Sequence, residues 1–236
     1  VALPTIGAPP AAMQLVEDTA LDRDTVQRLI DRGTPVHLRN CAGQGADLSR
    51  LDLTGWVFER CELRQANLRA ATLDGTRWRS CRLSFADLAS ADLSDARFEG
   101  AFADNAKFTN ARLQDCAFAE CRLLGADFTG VRAFDVGFRD CSLTLALLPG
   151  FSFRNARLQG LDLAEADLTK ADFRAAILQR CSLRGATLDG ARFEGADIRD
   201  AEIGSLSGVE MARFRGAKIS AEQAVQVARG LGFKVG

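Results

Sequence analysis

Residues 86–95 read ADLASADLSD, one five-residue phrase written twice: a small residue, a polar one, a leucine, then two small or polar residues. The phrase continues in both directions. From Leu48 to Ile203 every fifth residue is Leu, Phe, Trp or Ile except Ala103 and Ala133, which makes 30 matches in 32 positions. Two places before each centre the usual occupant is Ala or Cys, and the other three positions carry Asp, Arg, Asn, Ser, Thr, Gly and Glu. A period of five is neither the roughly 3.6 of a helix nor the 2 of a strand. It suits a short extended piece whose Ala-x-Leu points two side chains inward, followed by a tight turn built from Gly, Asn or Asp. Such a unit buries nothing alone. Stacked units share a continuous core, as in a solenoid.

The cysteines count the units in each turn. Cys41, Cys61, Cys81, Cys121, Cys141 and Cys181 take the small inward position at separations that are multiples of 20, and Cys116 takes it elsewhere. Phe58, Trp78, Phe98, Phe118 and Phe138 recur as centres at the same interval. Twenty residues are four units, so the spacing predicts an all-β solenoid with four sides. At about 4.8 Å per coil, about eight coils give a rod roughly 38 Å long.

ADLSR, ANLRA, ADLAS and ADLSD match the consensus A(D/N)LXX, so the sequence resembles the pentapeptide-repeat family from about Val36 to Ile219. The resemblance implies a right-handed quadrilateral β-helix with inward Leu/Phe centres. Function does not follow from that fold, because one rod serves unrelated roles.

A solenoid must cover its terminal edges. Asp24 is placed to cap TVQRLIDR, with Val26, Leu29 and Ile30 on one face and Gly33 as a stop; Ser220 is placed to cap AEQAVQVARG. The expected organisation is a disordered tail over 1–12, an N-terminal helical cap over 13–35, the β-helix over 36–219, and a C-terminal helix and cap over 220–236. The ending KISAEQAVQVARGLGFKV resembles the C-terminal helix of the gyrase-protecting members, the Qnr and MfpA type, where that end dimerises. On that resemblance Val225, Leu231 and Phe233 are candidates for a dimer contact or a cap. Three places break the rhythm. GSLSGVEM at 204–211 slips the register, Pro149 and Gly150 in 144–152 leave a loop open, and the aromatic column passes from Phe138 to another side at Phe153, Phe173 and Phe193.

With 26% charged residues and a net charge of −1, the chain is neither a broadly basic nucleic-acid binder nor an acidic body imitating DNA. No apolar run reaches the roughly 18 residues of a membrane span, and the first dozen residues lack the features of a secretion signal, so a cytoplasmic protein is expected. There is one histidine, His37, no tyrosine, no phosphate-binding loop and no C-x-x-C. The expectation is therefore a protein that is not an enzyme, with no catalytic, cofactor-binding or metal-binding residues; His37 is expected at the surface or in a cap. The cysteines stack at a distance that permits disulfides, but parallel Cβ vectors favour small apolar filling. Asp47, Asp52, Asp87, Asp92, Asp127, Asp167 and Asp172 precede centres and suit turn capping. Arg60, Arg77, Arg79, Arg97, Arg139 and Arg157 form a modest basic stripe beside the first aromatic column.

Apolar residues at water-facing positions carry more information. In this register Phe85, Phe102, Leu124 and Leu145 point outward from the cysteine-bearing side on four consecutive coils, with Leu147 at the next corner. A contiguous patch of this kind marks a protein interface. Phe102 and Phe134 each have a second geometry open to them: tucking inward beside the undersized centres Ala103 and Ala133. The expected function is a non-catalytic rod that binds a protein through this patch. The resemblance implies DNA gyrase or topoisomerase IV as the partner and an antibiotic-resistance role, with a homodimer through the C-terminal end. The competing expectation is a bacterial effector or scaffold docking a host or regulatory protein without acting on gyrase. No direct nucleic-acid or membrane contact is expected.

Overall fold

The computed structural model of the chain describes residues 13–204 and 212–235. Every fifth residue from Asn40 to Gly195 has a positive φ, Gly, Asn and Asp among them but also Arg, Ser and Ala. Each such residue turns a corner. Ala66 N–H donates to Leu63 O (3.1 Å), Ala71 N–H to Leu68 O (3.2 Å) and Thr76 N–H to Leu73 O (3.2 Å), each closing a four-residue turn with its third residue left-handed. The corners aim the remaining backbone groups along the rod. Asn67 N–H donates to Ala46 O (2.8 Å) in the coil before, and Leu68 N–H to Asp87 O (2.7 Å) in the coil after.

Four ladders of parallel bridges, joining residues 20 apart through the body of the rod, define four sides; Ala42–Glu62, Asp47–Asn67 and Asp52–Thr72 belong to three of them. The fourth, the strand face, is a ten-stranded parallel sheet: β1 (Gln14–Glu17), β2 (Val36–Arg39), β3 (Val57–Glu59), β4 (Arg77–Arg79), β5 (Arg97–Glu99), β6 (Ala117–Ala119), β7 (Gly137–Arg139), β8 (Arg157–Gln159), β9 (Ile177–Ser182) and β10 (Asp197–Glu202). Ten strands make about nine turns, one more than the sequence count. The extra turn comes from β1, which lies in the segment expected as a helical cap. It pairs with β2 in full register, and Leu21 N–H then bonds Ala42 O (2.7 Å). Helix α1 (Arg23–Ile30) starts only after this bond, so its N-cap is Asp22 rather than Asp24. Asp22 Oδ1 accepts from Thr25 N–H at 2.8 Å, and Val26 and Leu29 are buried over the core.

Side chains from the four sides meet in one core, and adjacent coils balance its volume. The cysteine face follows the strand face in chain order, then the alanine face, whose small inward position is Ala at all eight units from Ala46 to Ala186, then the fourth face. On the strand face Phe58, Trp78, Phe98, Phe118 and Phe138 stack with ring centroids 3.9–5.6 Å apart. Trp78 Nε1–H donates to Thr76 Oγ1 (2.9 Å), and Thr76 passes its own proton to Leu73 O (2.6 Å), so the buried indole is satisfied. Phe108 and Phe128 add a second column on the alanine face, edge-on to the first. The alanine centres occur in the two coils that carry these pairs: Ala103 between Phe98 and Phe108, and Ala133 after Phe118 and Phe128. The small centre offsets the second ring.

Pro149 and Gly150 form an ordinary corner, with Phe151 N–H bonded to Leu148 O (3.1 Å) and Leu147 bridged to Asp167, so no loop leaves the rod there. The irregularity lies one side further on. The fourth face repeats the bonds Leu113 N to Arg132 O and Phe153 N to Asp172 O in neighbouring coils, but among the described residues Ala133 N does not bond Ser152 O and Ser152 N does not bond Val131 O. β7 and β8 are joined only at Arg139–Gln159. Two oversized residues, Val131 and Phe151, follow each other in a column otherwise filled there by Ala111 and Ala171, and they wedge the corner open. Val131, Ala133, Val136 and Ala156 are half-buried as a result. Phe151 fills the gap from inside, 4.6 Å from Phe153 and 5.9 Å from Phe138, and there the aromatic column changes sides. The expected register slip beyond Gly204 falls mostly outside the described residues. It is nevertheless recorded in the stacking of Phe193 on Phe214, 21 positions apart, at 4.6 Å.

Two outcomes follow. Ala103→Leu overfills a coil that already holds two rings and lowers stability by about 1–3 kcal/mol in urea unfolding, and adding Phe108→Leu recovers most of it. In hydrogen exchange, the amides of Ala133 and Ser152 exchange faster than those of Leu113 and Asp172, their counterparts one coil away.

Candidate functional site

An outward position just before a centre has a regular task in this fold. Asp47, Asp52, Asp87, Asp92, Asp127, Asp162, Asp167 and Asp172 each accept, through Oδ1, the N–H two residues on, at 2.8–3.1 Å. The acidic comb is thus a set of turn caps. At Leu147 the acceptor would have no donor, because the residue two on is Pro149. An apolar side chain there loses no hydrogen bond.

Phe102 stands at another of these outward positions. It is 42% exposed while Ala103 is 1% exposed, so of its two available geometries the fold takes the outward one. Phe134 does the same on the fourth face at 66%, away from the other apolar residues. Phe102 is held against the wall by Arg122 of the next coil. The guanidinium carbon lies 5.3 Å from the ring centroid, and Nε–H donates to both oxygens of Asp104, at 2.9 and 2.8 Å. Asp104 is buried, and its hydrogen bonds push the Arg122 pKa above its ordinary value. The charge and the ring form one fixed unit.

Phe85 and Leu145 are exposed at 60% and 50% and occupy corner positions with φ of 61° and 59°. Other corners in the same column carry Gly45, Gln65, Asn105, Gly125, Glu165 and Gly185, small or polar in every case. A bulky side chain in the left-handed region costs about 1 kcal/mol, and half exposure returns little of it through burial. Leu124 and Leu147 complete the exposed group. The structure therefore places Phe85, Phe102, Leu124 and Leu145 on the cysteine face over four consecutive coils, in a strip about 15 Å long, with Leu147 at the start of the adjoining alanine face.

The comparisons settle the lineage of this rod. Residues 71–148 and 111–193 match the pentapeptide repeat region family, and the overlapping segments together take in more than half of the chain. The chain belongs to the pentapeptide-repeat family. Among solved structures it is similar to a trypsin-treated variant of QnrB1, a plasmid-mediated fluoroquinolone resistance protein. The identity is 23% and the TM-score 0.76, covering 84% of this chain and 98% of that one. A second trypsin-treated QnrB1 variant gives 22% identity and a TM-score of 0.57, covering 94% and 98%. At these identities the likeness is one of fold. No curated protein matches the sequence.

In this pentapeptide-repeat rod the remaining candidates have structural partners. His37 lies on β2, buried rather than at the surface, with Nε2 3.0 Å from Glu59 Oε2 on the next strand. All seven cysteines are free and buried. Six of them, all but Cys116, form a column at the corner after the strand face, where the four-residue turn bond is not formed among the described residues, and the thiols of this column donate to carbonyls instead. Cys81 Sγ lies 3.2 Å from Phe58 O and Cys141 Sγ 3.4 Å from Phe118 O. Burial pushes the Cys116 and Cys181 thiols above their ordinary pKa, away from the reactive thiolate. Four of the six arginines of the basic stripe are ion-paired: Arg60 meets Glu59 at 3.3 Å, Arg79 meets Glu99 at 3.8 Å, Arg97 meets Asp95 at 4.0 Å, and Arg139 meets Glu120 at 3.5 Å. Among the described residues no group of three or more His, Cys, Asp or Glu could hold a metal, and no helix is long and apolar enough to cross a membrane.

At the C-terminal end, helix α2 (Ala221–Gly230) begins at Ser220 with a complete capping box. Gln223 is buried and spends its amide on the open rim of the last coil, Nε2–H donating to Ile198 O (2.8 Å) and Ala201 O (2.7 Å). Val225 is half-buried, while Leu231 and Phe233 are exposed.

Because the corner geometry disfavours them, Phe85→Asn with Leu145→Asn raises the melting temperature rather than lowering it, as differential scanning calorimetry shows.

Proposed function

We propose that this pentapeptide-repeat protein is a non-catalytic binding rod, and that Phe85, Phe102, Leu124, Leu145 and Leu147 form the face on which another protein docks. The observation that carries this reading is energetic. Corner positions 85 and 145 suit Gly or Asn, yet both hold large apolar residues that are exposed and left-handed. Folding gains nothing from them. A contact that buries them does, at about 25 cal/mol per Å² of apolar surface.

The finer proposal is a topoisomerase-binding protein of the gyrase-protecting type, acting in the cytoplasm on DNA gyrase or topoisomerase IV, for which an end-to-end contact through Val225, Leu231 and Phe233 is the alternative mode of self-association. It is supported by likeness in fold to a trypsin-treated fluoroquinolone resistance protein over 98% of that chain and by the capped helix at the C-terminal end. A gyrase supercoiling assay with and without a fluoroquinolone tests it. The expected result is restored supercoiling in the presence of the drug; a folded protein that neither inhibits nor protects removes the topoisomerase reading. For the face itself, Leu124→Asp with Leu145→Asp is expected to leave the circular dichroism spectrum unchanged and to weaken partner binding at least about tenfold, or roughly 1.4 kcal/mol.

A further inference from the structure

The apolar face is nearly self-complementary along the rod. Its outward columns repeat every 20 residues, as the bridges Phe102–Arg122 and Lys107–Asp127 record. A plane across the rod midway between the coils of Phe98 and Phe118 therefore exchanges Phe85 with Leu145, Asn105 with Gly125, Phe102 with Arg122 and Leu124 with Asp104 on the cysteine face, and at its rim, on the adjoining alanine face, Lys107 with Asp127 and Leu147 with Asp87. When two rods lie face to face and antiparallel about a twofold axis in that plane, each exchange becomes a contact, and each contact occurs twice.

We propose that the occupant of this face is a second copy of the chain, docked antiparallel. The proposal rests on reading the face as a protein interface and adds the identity of its partner. Phe85 meets the second copy's Leu145, so the two strained corner residues bury each other. Phe102, already covered on one side by its own Arg122 at 5.3 Å, receives the second copy's Arg122 on the other. Between them Asn105 and Gly125 form low ground that lets the surfaces close; Gly125 has a φ of 64° and carries no side chain. Lys107 is exposed on the adjoining alanine face and has no ion-pair partner within the chain among the described residues; it reaches the second copy's Asp127 at the rim of the contact. The like charges that face each other, Glu62 and Asp162, lie one coil further out, where Glu62 is already paired with Arg64 and Arg82 at 3.1 Å each. The contact is about 15 Å long and one face wide, below the standard size of specific interfaces, so association is weak and concentration-dependent.

Sedimentation velocity of the full chain over about 1–100 µM tests this. A monomer–dimer equilibrium is expected, abolished by Phe85→Asp or Leu145→Asp in variants whose circular dichroism is unchanged. Lys107→Asp and Asp127→Lys are each expected to be monomeric alone and to dimerise when mixed, because each copy then brings the charge the other lacks. A wild-type chain that stays monomeric at the highest concentration overturns the proposal, as does a mixture that fails to pair. Phe233→Asp leaves the dimer intact; its loss in that variant moves the contact to the C-terminal end and also overturns the proposal. If the wild type is monomeric while Leu124→Asp still abolishes binding to a foreign protein, the face remains an interface and only the second copy is excluded.

Discussion

The left-handed residue at every fifth position is the constraint on which this molecule depends. It turns the chain through a corner in a single step, and three of the four corners are locked by the bond from a centre's carbonyl to the N–H three residues on. The turn aligns the remaining N–H and C=O groups with the rod axis, where the coils before and after satisfy them. It also sends two side chains of every five inward. At the fourth corner, where the turn bond is not formed, the cysteine thiols donate to the carbonyls of the preceding coil. That gives the cysteine column a structural reason that needs neither oxidation nor metal.

Because each coil leans on its neighbours, volume is balanced between sides rather than within a unit. Alanine is tolerated as a centre at 103 and 133 where a second phenylalanine supplies the missing bulk. The opposite error, Val131 beneath Phe151, cannot be absorbed, and the ladder parts at that corner. The same logic separates structural from functional surface. Aspartates before the centres cap turns, and most arginines of the stripe on the strand face are paired with acids, so their presence has a structural reason. Phe85 and Leu145 serve no such need, which is why the apolar side stands out.

The repeat itself was legible because it is local. Period five states which residues point inward, and interval 20 states how many sides there are. The candidate face followed from the same arithmetic, and so did the outward placement of Phe85, Leu124 and Leu145. Position 147 was legible in part; the reason an apolar residue costs nothing there is the proline two residues on, a detail of hydrogen bonding rather than of pattern. The buried pair of His37 and Glu59 was not legible, because it joins neighbouring strands through side chains that no repeat position requires.

The sequence by itself determined the solenoid, its four sides, its inward columns and the direction of most outward residues, since these follow from alternation and turn chemistry within five residues. Only the tertiary structure decided the rest. Phe102 points outward because Arg122, fixed by Asp104, lies against it, and because Phe98 and Phe108 already occupy the space beside Ala103. β1 became part of the sheet, and Asp22 rather than Asp24 became the cap, because strand pairing with β2 holds the chain until after Leu21. Each of these outcomes depends on residues about a full coil apart, and contacts at that distance exist only once the coils have stacked.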